Sequence, residues 1–120
     1  TLDEIYRCAD VVSLHLRLSP EMHHFLGAEQ LARMKSTAIL INTARGAIVD
    51  EGALSQALQA GHLGGAGLDV FEQEPLPREA PILRAPRTVI SPHCAGVTPE
   101  ALEAGLAMAV ENVRTFFEGR

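Results

Sequence analysis

Arg45, Glu74 and His93 are the side chains of this 120-residue chain best suited to chemistry on a small anionic carbonyl compound. Arg45 follows a short apolar run, AILI at residues 38–41, and precedes Gly46, which lets the backbone turn sharply. A guanidinium there can grip a carboxylate through parallel hydrogen bonds and polarise a neighbouring carbonyl. The plainer alternative is a surface arginine paired with Asp50 or Glu51. His93 lies between Pro92 and Cys94, and imidazole is the natural proton donor or acceptor near neutral pH. A loop histidine alone needs no such role. Glu74 supplies a reason for one, because a carboxylate bonded to the ring would fix its tautomer and favour its charged form. Asp69 interrupts a third apolar run near its end, where a buried acid is costly unless hydrogen-bonded. Its partner could equally be a ligand amide or a nearby backbone N–H.

These residues fall at the ends of apolar runs that alternate with helical patterns. Residues 9–15 (ADVVSLH) read as a strand, 28–34 (AEQLARM) as a short helix, and 38–41 as a strand buried on both faces. Asp50 caps a helix running to about residue 60, with Leu54, Ala57 and Leu58 on one face and Gly61 as the stop. Residues 66–71 (AGLDVF) form a third strand, which puts Asp69 two residues before its end. Four prolines between residues 74 and 86 exclude regular structure, and 88–90 (TVI) form a fourth strand. Thr98-Pro99-Glu100 then opens a helix to about residue 118, with Leu102, Leu106, Ala109, Val113 and Phe116 at helical spacing. The order specifies an α/β fold with a parallel sheet and flanking helices. Such sheets bind ligands beyond the carboxyl ends of their strands. Those ends are residues 15–20, 42–46, 69–74 and 91–96, where polar and charged residues interrupt the apolar runs.

Bulk composition narrows the classes of partner. The chain is 47% hydrophobic and 21% charged with a net charge of −5. It therefore has core enough to fold but no basic face for nucleic acid or an anionic membrane, and no apolar run approaches the ~20 residues of a membrane span. Cys8 and Cys94 are far apart and form no CxxC pair, so a reducing, cytoplasmic setting is expected. His23, His24 and His62 are expected to face solvent. No acid or cysteine joins them at ligand spacing, so no metal site is expected. His15, at a strand end, lies near the site or serves structure. Cys94 is not expected to act with His93 as a nucleophile, since neighbours in an extended loop point apart.

Four segments carry a family resemblance: ADVVSLHLRLSPEMHHFLG, MKSTAILINTARGAIVD (residues 34–50), GLDVFEQEPLP and ISPHCAG. In this order and spacing they resemble the D-isomer-specific 2-hydroxyacid dehydrogenases. The resemblance implies a partial Rossmann domain, with residues 1–120 as the C-terminal part of the nucleotide-binding domain. It implies an oxidoreductase moving a hydride between NAD (or NADP) and a small 2-keto or 2-hydroxy acid, in a homodimer. Arg45 would bind the substrate, His93 would be the general acid/base and Glu74 would tune it. Leu16, Thr43, Ala44, Asp69, His93 and Gly96 would line the nicotinamide end of the cofactor site, Asp69 towards the carboxamide. Arg17 stands where many members have proline, and Cys94 where many have an aliphatic residue.

The family's G-x-G-x-x-G turn is not among these residues. Gly61, Gly64, Gly65 and Gly67 lead into a strand, whereas the fingerprint leaves one and opens a helix. The first βαβ unit and the substrate domain are expected to precede this segment, and the chain alone is expected to be inactive. A dinucleotide-sensing corepressor of the same fold, or a truncated interaction module, are the competing readings. An in-frame G-x-G-x-x-G upstream would exclude the last.

Overall fold

The computed structural model describes residues Thr1–Arg120. Thr1 caps α1 (Leu2–Cys8) through a capping box with Glu4. The chain then enters β1 (Val11–Leu14), passes a 3-10 turn at Pro20–Met22, and forms α2 (Ala28–Arg33) and β2 (Ile39–Asn42). A second 3-10 turn, Gly46–Ile48, leads to α3 (Glu51–Gln59), whose Asp50 cap accepts from the Ala53 N–H. After β3 (Gly65–Leu68) come a third 3-10 turn at Pro81–Arg84, β4 (Thr88–Ile90) and α4 (Pro99–Phe117).

The four strands are parallel and lie in chain order, β1-β2-β3-β4. Their register aligns Leu14 with Asn42 and Asn42 with Leu68, so the carboxyl ends form one edge. Gly64 makes the turn into β3 possible, since a Cβ there would meet the Thr37 carbonyl oxygen at 2.4 Å.

One face of the sheet holds the core. Val12, Leu14, Leu40, Ala66 and Leu68 pack with Leu31 of α2, Leu54 and Leu58 of α3, and Leu26, Ile48, Leu63 and Ile82 from the connections. The opposite face is open, with Val11 57% and Val89 75% exposed. This corrects the expectation that β2 is buried on both faces: Leu40 is buried, but Ile39 on the open face is 41% exposed. The cause is α4. Thr98 caps it and its apolar spacing is helical, but none of its residues is buried. The Cα radius of gyration of 17.5 Å exceeds the ~14 Å of a compact domain this long, because α4 lies off the core instead of over the open face.

Candidate active site

The exits of β2, β3 and β4 are fastened to one another by short polar contacts. Asn42, 1% exposed, donates from its side-chain nitrogen to the Arg45 carbonyl at 2.9 Å and accepts from the Ala44 N–H at 3.1 Å. This side-chain staple closes the turn after β2 and fixes the backbone that carries Arg45. Gly46 completes the docking. A Cβ there would lie 1.9 Å from the Phe71 carbonyl carbon, so only glycine lets the β2 exit rest on the β3 exit. The exposed Arg45 side chain donates to the Ala44 carbonyl at 2.6 Å. It does not pair with Asp50 or Glu51: Asp50 caps α3, and Glu51 accepts from the Glu72 N–H at 3.4 Å.

β3 ends at Leu68, three residues short of the predicted Phe71. The Asp69 N–H still bonds the Asn42 carbonyl at 3.0 Å, but β2 has by then turned away and offers Val70 and Phe71 no ladder. Asp69 therefore sits just past the strand, 3% exposed. Its Oδ1 accepts from the Ser91 hydroxyl at 2.5 Å and the Cys94 N–H at 2.9 Å, and its Oδ2 from the Ala95 N–H at 2.8 Å. Of the two partners open in the sequence, it has taken backbone N–H groups. Burial pushes its carboxyl up, but the Ser91 hydroxyl and the Ala95 and Cys94 amides outweigh that and hold it below the ordinary aspartate value.

Those amides directly follow His93. The His93 Nδ1 lies 2.7 Å from Glu74 Oε2, and Glu74 Oε1 accepts from the Phe71 N–H at 3.0 Å. The bond to His93, followed by that from Phe71, holds the Glu74 carboxyl below its usual range. An ionised Glu74 can only accept, so Nδ1 carries the proton of this bond and Nε2 is left to exchange one. His93 adopts φ 54°, a left-handed conformation that costs a non-glycine residue ~1–2 kcal/mol. The loop is therefore not extended at His93, contrary to the expectation from which Cys94 and His93 were to point apart. Cys94 is an exposed free thiol whose backbone, not its sulfur, is engaged by Asp69.

Two open clefts border this edge. The larger, about 690 Å³, is lined by Phe71, Glu74, Leu76, Arg78, Ile90 and His93 among others. The second, about 470 Å³, is lined by His15, Leu16, Arg17, Leu18, Thr43, Ala44 and Arg45. The structure thus gathers Glu74 with His93, and separately Leu16, Thr43 and Ala44 with Arg45. Gly96 lines neither cleft. His15 bonds the Ser13 hydroxyl through Nε2 at 2.8 Å at the mouth of the second. Asn42, Ser91 and Arg78 are additions to the predicted set. Asn42 and Ser91 stand at strand ends already singled out, so a polar side chain there was the available signal; Arg78, inside the proline-rich stretch, carried none.

One further cluster joins residues that no sequence spacing connects. Glu72, 48 residues from His24 in sequence, places Oε2 3.1 Å from His24 Nε2, and the ligand atoms of His23, His24 and Glu72 all lie within 4.8 Å of one another. An acid does join these histidines, through the fold rather than through sequence spacing. The His24 side chain is 36% exposed and bonded to Glu72.

Comparison with known proteins follows the same elements. The family described as "D-isomer specific 2-hydroxyacid dehydrogenase, NAD binding domain" matches residues 1–95, through all four strands and the His93 loop. The chain is 47% identical over 118 residues to a glyoxylate reductase of Korarchaeum cryptofilum, covering 98% of this chain and 36% of the relative. It is 49% identical over 119 residues to glyoxylate/hydroxypyruvate reductase B of Citrobacter koseri, covering 99% of this chain and 37% of the relative. It thus spans little more than a third of the length of these relatives. Among solved structures, it overlays D-lactate dehydrogenase from Aquifex aeolicus, complexed with NAD and lactic acid, at TM-score 0.88 and 36% identity, covering 99% of this chain and 40% of that one. A protein from Thermus thermophilus overlays at TM-score 0.93 and 50% identity, covering 100% of this chain and 38% of that one. A match that runs unbroken through the strand ends and their polar loops makes the chain a member of the D-isomer specific 2-hydroxyacid dehydrogenase family, within its NAD-binding domain.

Proposed function

We infer that this chain supplies the acid–base side of an NAD(P)-dependent dehydrogenase that interconverts a small 2-keto acid and its D-2-hydroxy acid. The observation that carries the reading is the 2.7 Å bond between Glu74 and the Nδ1 of His93, at the carboxyl edge of a parallel sheet, with Arg45 at the next exit but one. Relatives named glyoxylate reductase and glycerate dehydrogenase support the substrate class.

In this reading Arg45 binds the substrate carboxylate through its guanidinium and polarises the adjacent carbonyl. His93 holds a proton at Nε2 and gives it to the carbonyl oxygen, or takes it back in oxidation. Glu74 keeps the ring in the tautomer that leaves Nε2 for this exchange. The cleft formed by Leu16, Thr43 and Ala44, with one aliphatic wall and polar neighbours, suits the nicotinamide end of a dinucleotide. Asp69, whose Oδ2 takes a single protein donor, retains an acceptor position for a carboxamide, and the family resemblance assigns His93 and Gly96 to the same end of the cofactor. When bound, the nicotinamide supplies or receives the hydride. The residues present offer no glycine-rich cradle for its phosphates, so that part of the site, the substrate domain and turnover itself are assigned to the two-thirds of the relatives' length that this chain does not span. A cytoplasmic setting belongs to the same reading, supported by two exposed free thiols, as does a homodimer of the complete protein.

The complete protein should oxidise NADH or NADPH with one or more members of a 2-keto acid panel that includes glyoxylate and hydroxypyruvate. Tight binding of NADH with no turnover of any keto acid would replace the enzyme with a dinucleotide sensor.

A further inference from the structure

We propose that His23, His24 and Glu72 form a binding site for one divalent transition-metal ion on the surface beside the β3 exit. Two ligands held ~2.0–2.2 Å from one ion lie about 3.0–3.5 Å from each other, and His24 Nε2 and Glu72 Oε2 are already 3.1 Å apart. The His23 nitrogen lies within 4.8 Å of both, and its ring stacks on that of His24 at 4.0 Å between centroids. A rotation of the exposed His23 side chain completes a face of three ligands.

The surroundings prepare these groups as well as grouping them. The His24 backbone is held at φ 53°, its N–H bonded to the Ala47 carbonyl at 2.8 Å, while Leu26 bonds Ile48 two residues on. Glu72 Oε1 accepts from the Glu51 N–H at 2.8 Å, at the start of α3, which aims Oε2 at His24. The other ring nitrogen of His24, Nδ1, faces the Asp50 carboxylate at 4.0 Å. At that distance the carboxylate makes no hydrogen bond to the ring and adds only negative charge beside the three ligands. Two imidazoles and one carboxylate select zinc, nickel, cobalt or copper; calcium and magnesium require a shell of oxygens. Three protein ligands leave a further position for water or a small anion. A bound ion would tie the segment after β1 to the segment that carries Glu74, two residues beyond Glu72.

Calorimetric titration of this chain with Zn²⁺ tests the assignment. One equivalent should bind. His23→Ala, which removes a ligand and no side-chain hydrogen bond, should weaken binding at least ~10-fold, as should His24→Gln and Glu72→Gln, with circular dichroism confirming that each variant remains folded. His93→Gln and His62→Gln should bind as the parent does. The site is refuted by the absence of saturable binding at millimolar zinc, by affinity that survives all three substitutions, or by affinity lost in His93→Gln, which would put the ion on the Glu74–His93 pair.

Discussion

Asp69→Asn isolates the device that holds the His93 loop. In the parent, one buried carboxylate takes three donors, from Ser91, Cys94 and Ala95. The best orientation of an asparagine keeps its carbonyl oxygen on Ser91 and Cys94, and so points its NH₂ at the Ala95 N–H. One charge-assisted bond, worth ~1.5–3 kcal/mol, is lost, and a donor left facing a donor adds a desolvation cost of ~1–3 kcal/mol. Relaxation of the loop recovers part of this, so the expected destabilisation is about 2–4 kcal/mol, or a fall of roughly 1–2 M in the urea midpoint. The loss should also depend on pH with a definite sign. Asp69 has a folded-state value below its unfolded one, so its contribution is complete above the unfolded value, near pH ~4, and disappears as pH falls through the folded value. The parent should therefore lose stability more steeply than the variant below pH ~4. Urea unfolding of both chains at a series of pH values, with amide exchange at Cys94 and Ala95, reads both effects. A midpoint shift equivalent to less than ~0.5 kcal/mol, or unchanged exchange at those amides, would refute the view that Asp69 anchors the loop.

Two further substitutions probe the same edge. Gly46→Ala drives a Cβ to 1.9 Å from the Phe71 carbonyl carbon. Backbone cannot step aside as a rotamer can, so a cost above ~3 kcal/mol is expected, seen as a fall of more than ~10 °C in Tm; a shift of a degree or two would mean that the two strand exits are not in contact. At His93, φ 54° predicts that His93→Gly folds more stably than His93→Ala by about 1 kcal/mol, though both lose the imidazole. Equal stabilities in chemical denaturation would show that His93 is not left-handed.

The strand ends are legible because they are where apolar runs stop, and the register brings all four stops to one edge. Asp50 and Thr98 are legible as caps because the capping residue and the helix it starts are adjacent in sequence. The end of β3 is less so: AGLDVF continues as an apolar run, and only the turn of β2 at Thr43 removes its hydrogen-bond partner after Asp69. The open face of the sheet is invisible in sequence for a related reason, since Val11, Ile39 and Val89 look like any buried strand residues and the helix that follows does not cover them. Asp69 shows a third limit. Sequence marks it as an acid needing a partner, but the partner amides lie at residues 94 and 95, and no local spacing connects them. The Glu72 side chain reaches His24 by the same kind of long-range closure.

The central claim is that His93, held by Glu74, exchanges the proton while hydride moves. The most direct measurement is kcat for the complete protein with its best 2-keto acid, parent against His93→Gln. A fall of ~10²–10⁴-fold in kcat, with KM changed little, is predicted. A His93→Gln protein that keeps near-parental kcat would contradict the assignment.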